Sequence, residues 1–246
     1  MEFFRADLHI HTVLSPCGDL EMSPGNIVSE AAFKGLDIIG ITDHNTTRHC
    51  DLIARLGSEK GIFVMQGAEV TTKEEVHCLA FFENTDTLKK FQEFLDASLP
   101  EIKNDPLIFG DQVQVDEDEN VVYEETRLLT NAISRSIGET EEFIHSLNGL
   151  FIPAHINRTK NSIYSQLGFL PDNLRADALE VSRTSTPERF IKIHPETNDF
   201  TLIRSSDAHY QNDIGTAFTT FFINEPTFAE IRMALRGEKG RKIIIE

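Results

Sequence analysis

Two histidines one residue apart, His9 and His11, close the apolar run of the opening segment MEFFRADLHIH. Further along, His44 follows Asp43 in GITDHNT, His77 comes after Glu69 of GAEV, His155 ends FIPAH, and His209 follows Asp207 in SSDAH. Imidazole and carboxylate donors in this mixture suit divalent cations such as Zn, Mn or Fe. Taken singly, each residue has a plainer reading. Histidine is often half-buried with a local partner, and Asp43 could cap the turn after it. Taken together, six imidazoles and several carboxylates brought to one place need a common partner. The remaining histidines, His49, His145 and His194, fall in expected helical or turn segments and read as surface residues. Cys50 and Cys78 occupy apolar positions and read as core, while Cys17 follows the paired histidines closely.

Strands and helices must alternate to bring these residues together. FFRADLHIH, LDIIGITDH, GIFVMQGAEV, EVHCLAFF, GLFIPAH, ADALEV and FTLIRSSDAH read as strands with helical segments between most of them. Ser23 and Pro24 mark the start of one helix and Gly35 lies just past its end. Helices are also expected from about Thr47 to Lys60 and over 86–97, and PTFAEIRMALRG with a short strand KIIIE closes the chain. Alternation of this kind predicts an α/β fold with a parallel sheet or barrel, where strand C-termini share one face. Residues i and i+2 of a strand point the same way, so Asp7, His9 and His11 are expected on one face, as are Asp207 and His209. DQVQVDEDENVVYEE breaks the pattern and reads as a small acidic β-hairpin inserted at about 101–130 of a single domain spanning 1–246.

The 246 residues carry a net charge of −17. Nine acids against one lysine in residues 101–125 supply nearly half of it. Such a surface repels long nucleic acid, and no basic stripe interleaved with aromatics offsets it. No apolar run reaches the length of a membrane span, and MEFFRAD lacks the basic start of a signal peptide. Three cysteines without CxxC spacing argue for a reducing, cytoplasmic setting rather than a disulfide framework.

DLHIHT, GLDIIGITDHNT, GAEV with His77 beyond, PAH and SSDAH, in that order, resemble the motifs of the polymerase and histidinol phosphatase (PHP) family. The resemblance covers residues 7 to 209. It implies a distorted seven-stranded, TIM-like β/α barrel with two or three divalent ions at its C-terminal mouth, and hydrolysis of phosphoesters. One ion would take His9, His11, Glu69 and Asp207; a second would share Glu69 and take His77 and His155; a third would take His44, His209 and a loop acid. Glu69, Asp207 and His209 would carry the catalytic weight. The loop here reads TVLSPCGD, so Asp19, its nearest acid, is the choice for the third ion. The family's AHP is AHI, with Ile156 in place of proline. Arg158 and Arg183, with Lys160 behind them, are the candidates to grip substrate phosphate. Asp7 and Asp43 are expected to orient ligating histidines from behind.

These features favour a nucleotide or short oligonucleotide as substrate, with a small phosphomonoester of the histidinol-phosphate type as the alternative. An amidohydrolase-type deaminase would want a metal-bridging lysine at a strand end, which is not found. A non-catalytic metal-binding module fits poorly with an intact ligand set.

Overall fold

The computed structural model describes residues 1–245. In chain order the elements are β1 (Glu2–Ile10), α1 (Pro24–Phe33), β2 (Ile38–Ile41), α2 (Cys50–Glu59), β3 (Phe63–Thr71), β4 (His77–Phe82), α3 (Thr85–Ser98), α4 (Pro106–Phe109), β5 (Val113–Val115), β6 (Val121–Glu124), α5 (Ile137–Ser146), β7 (Leu150–Pro153), α6 (Ile163–Leu167), β8 (Leu179–Ser182), α7 (Pro187–Ile193), β9 (Leu202–Ser205), β10 (Thr219–Ile223), α8 (Phe228–Leu235) and β11 (Lys242–Ile244). The ends of α1 follow from its sequence. Ser23 accepts a hydrogen bond from the Asn26 N–H, Pro24 fills the first turn, and Gly35 takes the left-handed conformation at φ 66°.

Seven strands form a curled sheet in the order β11-β10-β1-β2-β3-β4-β7, and β8 and β9 form a separate parallel pair. That pair fills the gap between β7 and β1. On one side the Asp177 N–H donates to Phe151 O (2.9 Å) and the Ile156 N–H to Glu180 O (2.8 Å). On the other, the His11 N–H donates to Ala208 O (3.0 Å) and the Ala208 N–H to His9 O (3.1 Å). The ring therefore runs β1-β2-β3-β4-β7-β8-β9 and returns to β1, the distorted barrel expected. One apolar cluster, including Ala6, Leu8, Ile38, Met65, Phe81 and Ile203, fills the ring, and α8 covers it through Phe228 and Ile231. A second, including Ile39, Ile41, Ile27, Ile53, Phe91 and Ile144, lies between the strands' outer faces and α1, α2, α3 and α5.

Two details depart from the expected pattern, and both matter at the mouth. First, β4 is antiparallel to both β3 and β7. The link Thr72–Val76 is a tight turn, with the Thr72 N–H donating to Val76 O (2.9 Å), and such a link is far too short for a parallel crossover. The reversal brings His77, at the start of β4, opposite Thr71 at the end of β3. Second, the pairing of β1 with β2 slips between Asp7 and Ile10. Leu8 packs in the inner cluster and Ile10 in the outer one, so the alternation changes phase across the irregularity. His9 and His11 face the mouth together, but Asp7 does not share their face.

The acidic segment does form a hairpin. β5 and β6 pair antiparallel around residues 116–120. Its tip is fastened to helices: the Ser23 hydroxyl donates to Glu119 (2.6 Å), and Arg55 of α2 pairs with Glu117 (2.5 Å).

Candidate metal centre

β3 delivers Glu69 to the centre of the mouth, where it is 1% exposed. Five imidazoles surround its carboxylate: His77 Nδ1 at 2.9 Å, His155 Nε2 at 3.0 Å, His44 Nδ1 at 3.1 Å, His9 Nε2 at 3.3 Å and His11 Nε2 at 3.4 Å. Asp207 stands on the other side, with its Oδ1 3.3 Å from both His9 Nε2 and His11 Nε2 and 3.6 Å from His209 Nε2. Two of these residues have positive φ, His155 at 31° and Asp207 at 53°. Backbone of this kind costs about 1–3 kcal/mol per residue and persists where surrounding structure dictates it.

The hydrogen bonds behind the imidazoles fix their tautomers. Ser15 Oγ donates to Asp43 Oδ1 (2.7 Å) and accepts the His44 backbone N–H (3.1 Å), so it also accepts from His11 Nδ1–H (3.0 Å). His9 Nδ1–H donates to Glu180 (3.0 Å). Each ring is left with its Nε2 lone pair turned inward, and the two Nε2 atoms sit 3.2 Å apart. Two such nitrogens facing each other beside two carboxylates call for a positive charge between them, supplied by a proton on His9 or by a metal ion. The donor set thus fits divalent metal. Ligand atoms gather within 4.8 Å in three overlapping groups: His9, His11 and Glu69; His44, Glu69 and His77; and His11, His44 and His209.

The electrostatics agree. Burial would raise the pKa of Glu69, yet His77 and His9 draw it well below the usual carboxylate range. Asp207 is likewise held low against burial, chiefly by His9. Burial lowers His44, helped by His11, and also lowers His155. It brings His209 down to about 3. His9 goes the other way: burial opposes it, but Glu180, Asp207 and Glu69 raise it well above its ordinary value. Three of the rings, His44, His155 and His209, are thereby held neutral while Glu69 and Asp207 stay ionised, the state a metal requires.

Asp43 supports His11 through Ser15 and holds the Thr12 N–H (2.7 Å). Asp7 touches no imidazole. It accepts the N–H groups of Ser206 (2.9 Å) and Gly215 (2.8 Å), so it braces the loop that carries Asp207. Burial lifts its pKa to about 6. Glu180 is the supporting carboxylate that motif reading missed. It serves His9 and also accepts the His155 N–H (2.9 Å). Its signal was available: an acid inside the apolar strand DALEV. Asp19 keeps its carboxylate in its own turn, accepting the Glu21 N–H (2.9 Å). Arg158 reaches Asp207 Oδ2 at 2.5 Å. Arg183 is engaged with Asp213 (2.7 Å).

The three histidines read as surface residues are not free. α2 begins at Cys50, later than expected, which leaves His49 at its N-cap and fully buried. His49 Nδ1 meets Thr12 Oγ1 (2.6 Å), and its Nε2 accepts the Val115 N–H (2.9 Å), tying the hairpin to the β1 loop. His145 is half-buried between Glu141 (3.2 Å) and Asp177 (3.1 Å). His194 lies against the rings of Tyr164 and Phe190. Cys50 and Cys78 are buried as expected.

Beside the centre opens a cavity of about 500 Å³ lined by His77, His155, Asn157, Arg158, Lys160 and Thr184 among others. No hairpin residue lines it. Barrel and donor cluster together define an α/β barrel with a candidate metal centre at its mouth. The chain belongs to the PHP domain family: that domain's signature matches residues 7–174, and a PHP-associated signature matches residues 196–239. It is 24% identical to the uncharacterized protein YqxK of Bacillus subtilis, a match that takes in 99% of this chain and 65% of that protein. Its fold is similar to that of a lesion-specific endonuclease from Pyrococcus furiosus, with a TM-score of 0.76, 24% identity, and coverage of 98% of this chain and 58% of the endonuclease. An endonuclease Q bound to a 27-mer duplex with an abasic lesion at its active site is also similar, with a TM-score of 0.73, 23% identity, and coverage of 98% and 58%. The chain thus spans less than two thirds of each of these relatives. No helix among the described residues is long and apolar enough to cross a membrane.

Proposed function

We propose that this chain hydrolyses the phosphoester of a nucleotide or short oligonucleotide, using two or three divalent ions held by His9, His11, His44, Glu69, His77, His155, Asp207 and His209. The observation that carries this reading is the cavity of about 500 Å³ that joins His77 and His155 to Arg158 and Lys160. Bound ions of this kind activate water at neutral pH and neutralise phosphoryl charge. The chain's own residues do the rest. Glu180 and Ser15 hold His9 and His11 in the tautomer that turns Nε2 inward. Arg158 offers a planar fork that suits phosphate oxygens, and Lys160 adds a second cation at the cavity wall. Asn157 and Thr184 supply neutral donors for the remainder of the substrate.

The test is metal analysis of the purified chain, followed by phosphate or product release with Mn, Zn or Fe. Nucleotides, short oligonucleotides, amino-alcohol and sugar phosphates, and an abasic duplex form the panel. Turnover highest on nucleotides or short oligonucleotides is the expected result. Metal uptake without release from any phosphoester would overturn the reading. The likeness to endonuclease Q favours a second reading, incision of a damaged duplex. The net charge of −17 weighs against it, and the abasic arm decides between them.

A further inference from the structure

We propose that the Cys17 thiolate is a ligand of the ion held by His11, His44 and His209. Three ring nitrogens meet there within 4.8 Å of one another. Three neutral imidazoles leave a four-coordinate ion one ligand short and bring it no negative charge. A second observation shows the position wants a cation: His44 is 5% exposed, and its Nδ1 makes no hydrogen bond although Glu69 Oε2 lies 3.1 Å away. Two side chains of the β1–α1 loop meet this group: Ser15 Oγ is taken up behind His11 Nδ1 (3.0 Å), and Cys17 Sγ lies 3.9 Å from His209 Nδ1. Asp19, the loop's acid, has its carboxylate on the Glu21 N–H instead.

The loop is pinned in this pose. The Asp19 N–H donates to His209 O (2.8 Å) and the Gly18 N–H to Ser15 O (2.8 Å). A side chain on Gly18 would bring its Cβ within 2.4 Å of Thr12 O, so the tight approach needs glycine. Cys50 and Cys78 are buried elsewhere, which leaves Cys17 as the exposed thiol. On ion binding the thiol releases its proton to solvent. The thiolate then supplies the single negative charge a carboxylate would have supplied, on a softer atom. That exchange shifts the position's preference toward zinc and away from manganese or magnesium.

The assignment rests on the metal reading of the centre and on no choice of substrate. The full chain is stripped with a chelator and titrated with Co²⁺. A near-ultraviolet thiolate-to-cobalt charge-transfer band is expected in the wild type, absent in Cys17→Ser and retained in Asp19→Asn. Zn²⁺ is expected to protect Cys17 from iodoacetamide in the unmodified chain, read by peptide mass spectrometry, which keeps the test independent of how any variant folds. Cys17→Asp should retain bound metal without the band. A wild type that binds cobalt without the band, a band that survives in Cys17→Ser, or alkylation of Cys17 unchanged by bound zinc overturns the assignment. A wild type that takes up no metal overturns the reading of the whole centre.

Discussion

Glu69 holds the centre through two oxygens shared among five imidazoles, so its charge is worth more than its size. Glu69→Gln keeps the shape and removes the charge. We expect at least one ion to be lost and phosphoester turnover to fall by about 100-fold or more, since two of the candidate donor groups share this carboxylate. Metal content and kcat measured on the same preparation check it. Glu180 acts one layer out. Glu180→Gln leaves His9 Nδ1–H an acceptor but removes the buried charge, and metal affinity should fall about 10- to 100-fold, the usual scale for the group behind a ligating histidine. A competition titration against a chelator reads that loss. Arg158→Ala should lower kcat/KM by about 10- to 100-fold, the worth of a charged hydrogen bond, while metal content stays unchanged. Most of the clustered donors were legible because they sit in short motifs, where HxH, DH and DxH put side chains at strand ends. Glu180 and Ser15 were less so. Each makes its contribution through a partner remote in sequence or turned by a loop, and no spacing rule encodes that.

At the scale of elements, pattern reading located nearly every strand and helix but not every direction. The apolar run EVHCLAFF declares a strand; only the brevity of Thr72–Val76 declares that it runs backward. Likewise DLHIH alternates on paper, yet the slip in β1 moves Asp7 off the face of His9 and His11. A one-residue irregularity is set by the neighbouring strand's register, which a single segment does not reveal. The seat of α5 carries its own prediction. His145 on α5 meets Asp177, which also accepts the Phe151 N–H of β7 (2.9 Å). The hydrogen bond with Asp177 raises the pKa of His145 above its ordinary 6.5. A raised histidine pKa means the folded state binds the proton more tightly than the unfolded one. The contribution is therefore complete below pH 6.5 and is lost as pH rises through the folded value. His145→Gln should lower Tm relative to the wild type at pH 6, and the gap should narrow toward pH 9. A gap that stays constant across this range would show that the pair adds no proton-linked stability.

Across the whole molecule, the charge of −17 is unevenly placed, and the hairpin holds a large share of it. Sequence alone left open whether that acid hangs over the mouth. Contacts from its tip to Ser23 and Arg55, and its absence from the cavity wall, set it on the flank. Neutralising Asp116, Glu117, Asp118 and Glu119 to their amides should therefore leave the ratio of oligonucleotide to mononucleotide turnover nearly unchanged. The general field acts more broadly. For oligonucleotides kcat/KM should rise as salt goes from about 0.01 to 0.15 M, where the screening length shrinks from about 30 to 8 Å. A fall with salt would instead indicate a basic track for the strand. The ring's seam has a separate consequence. β8 and β9 reach β1 through a few main-chain bonds and through His9, which clasps Glu180 from residues 171 positions away in the chain. Contacts between such distant residues carry the entropy cost of closing the intervening loop, so the seam is held by few bonds at a high cost in chain freedom. Ions held at the candidate centre would grip the same seam and so act as a fastener across it. Amide hydrogens of β8 and β9 should exchange with deuterium faster once a chelator has stripped the chain, while those of β2 and β3 keep their protection.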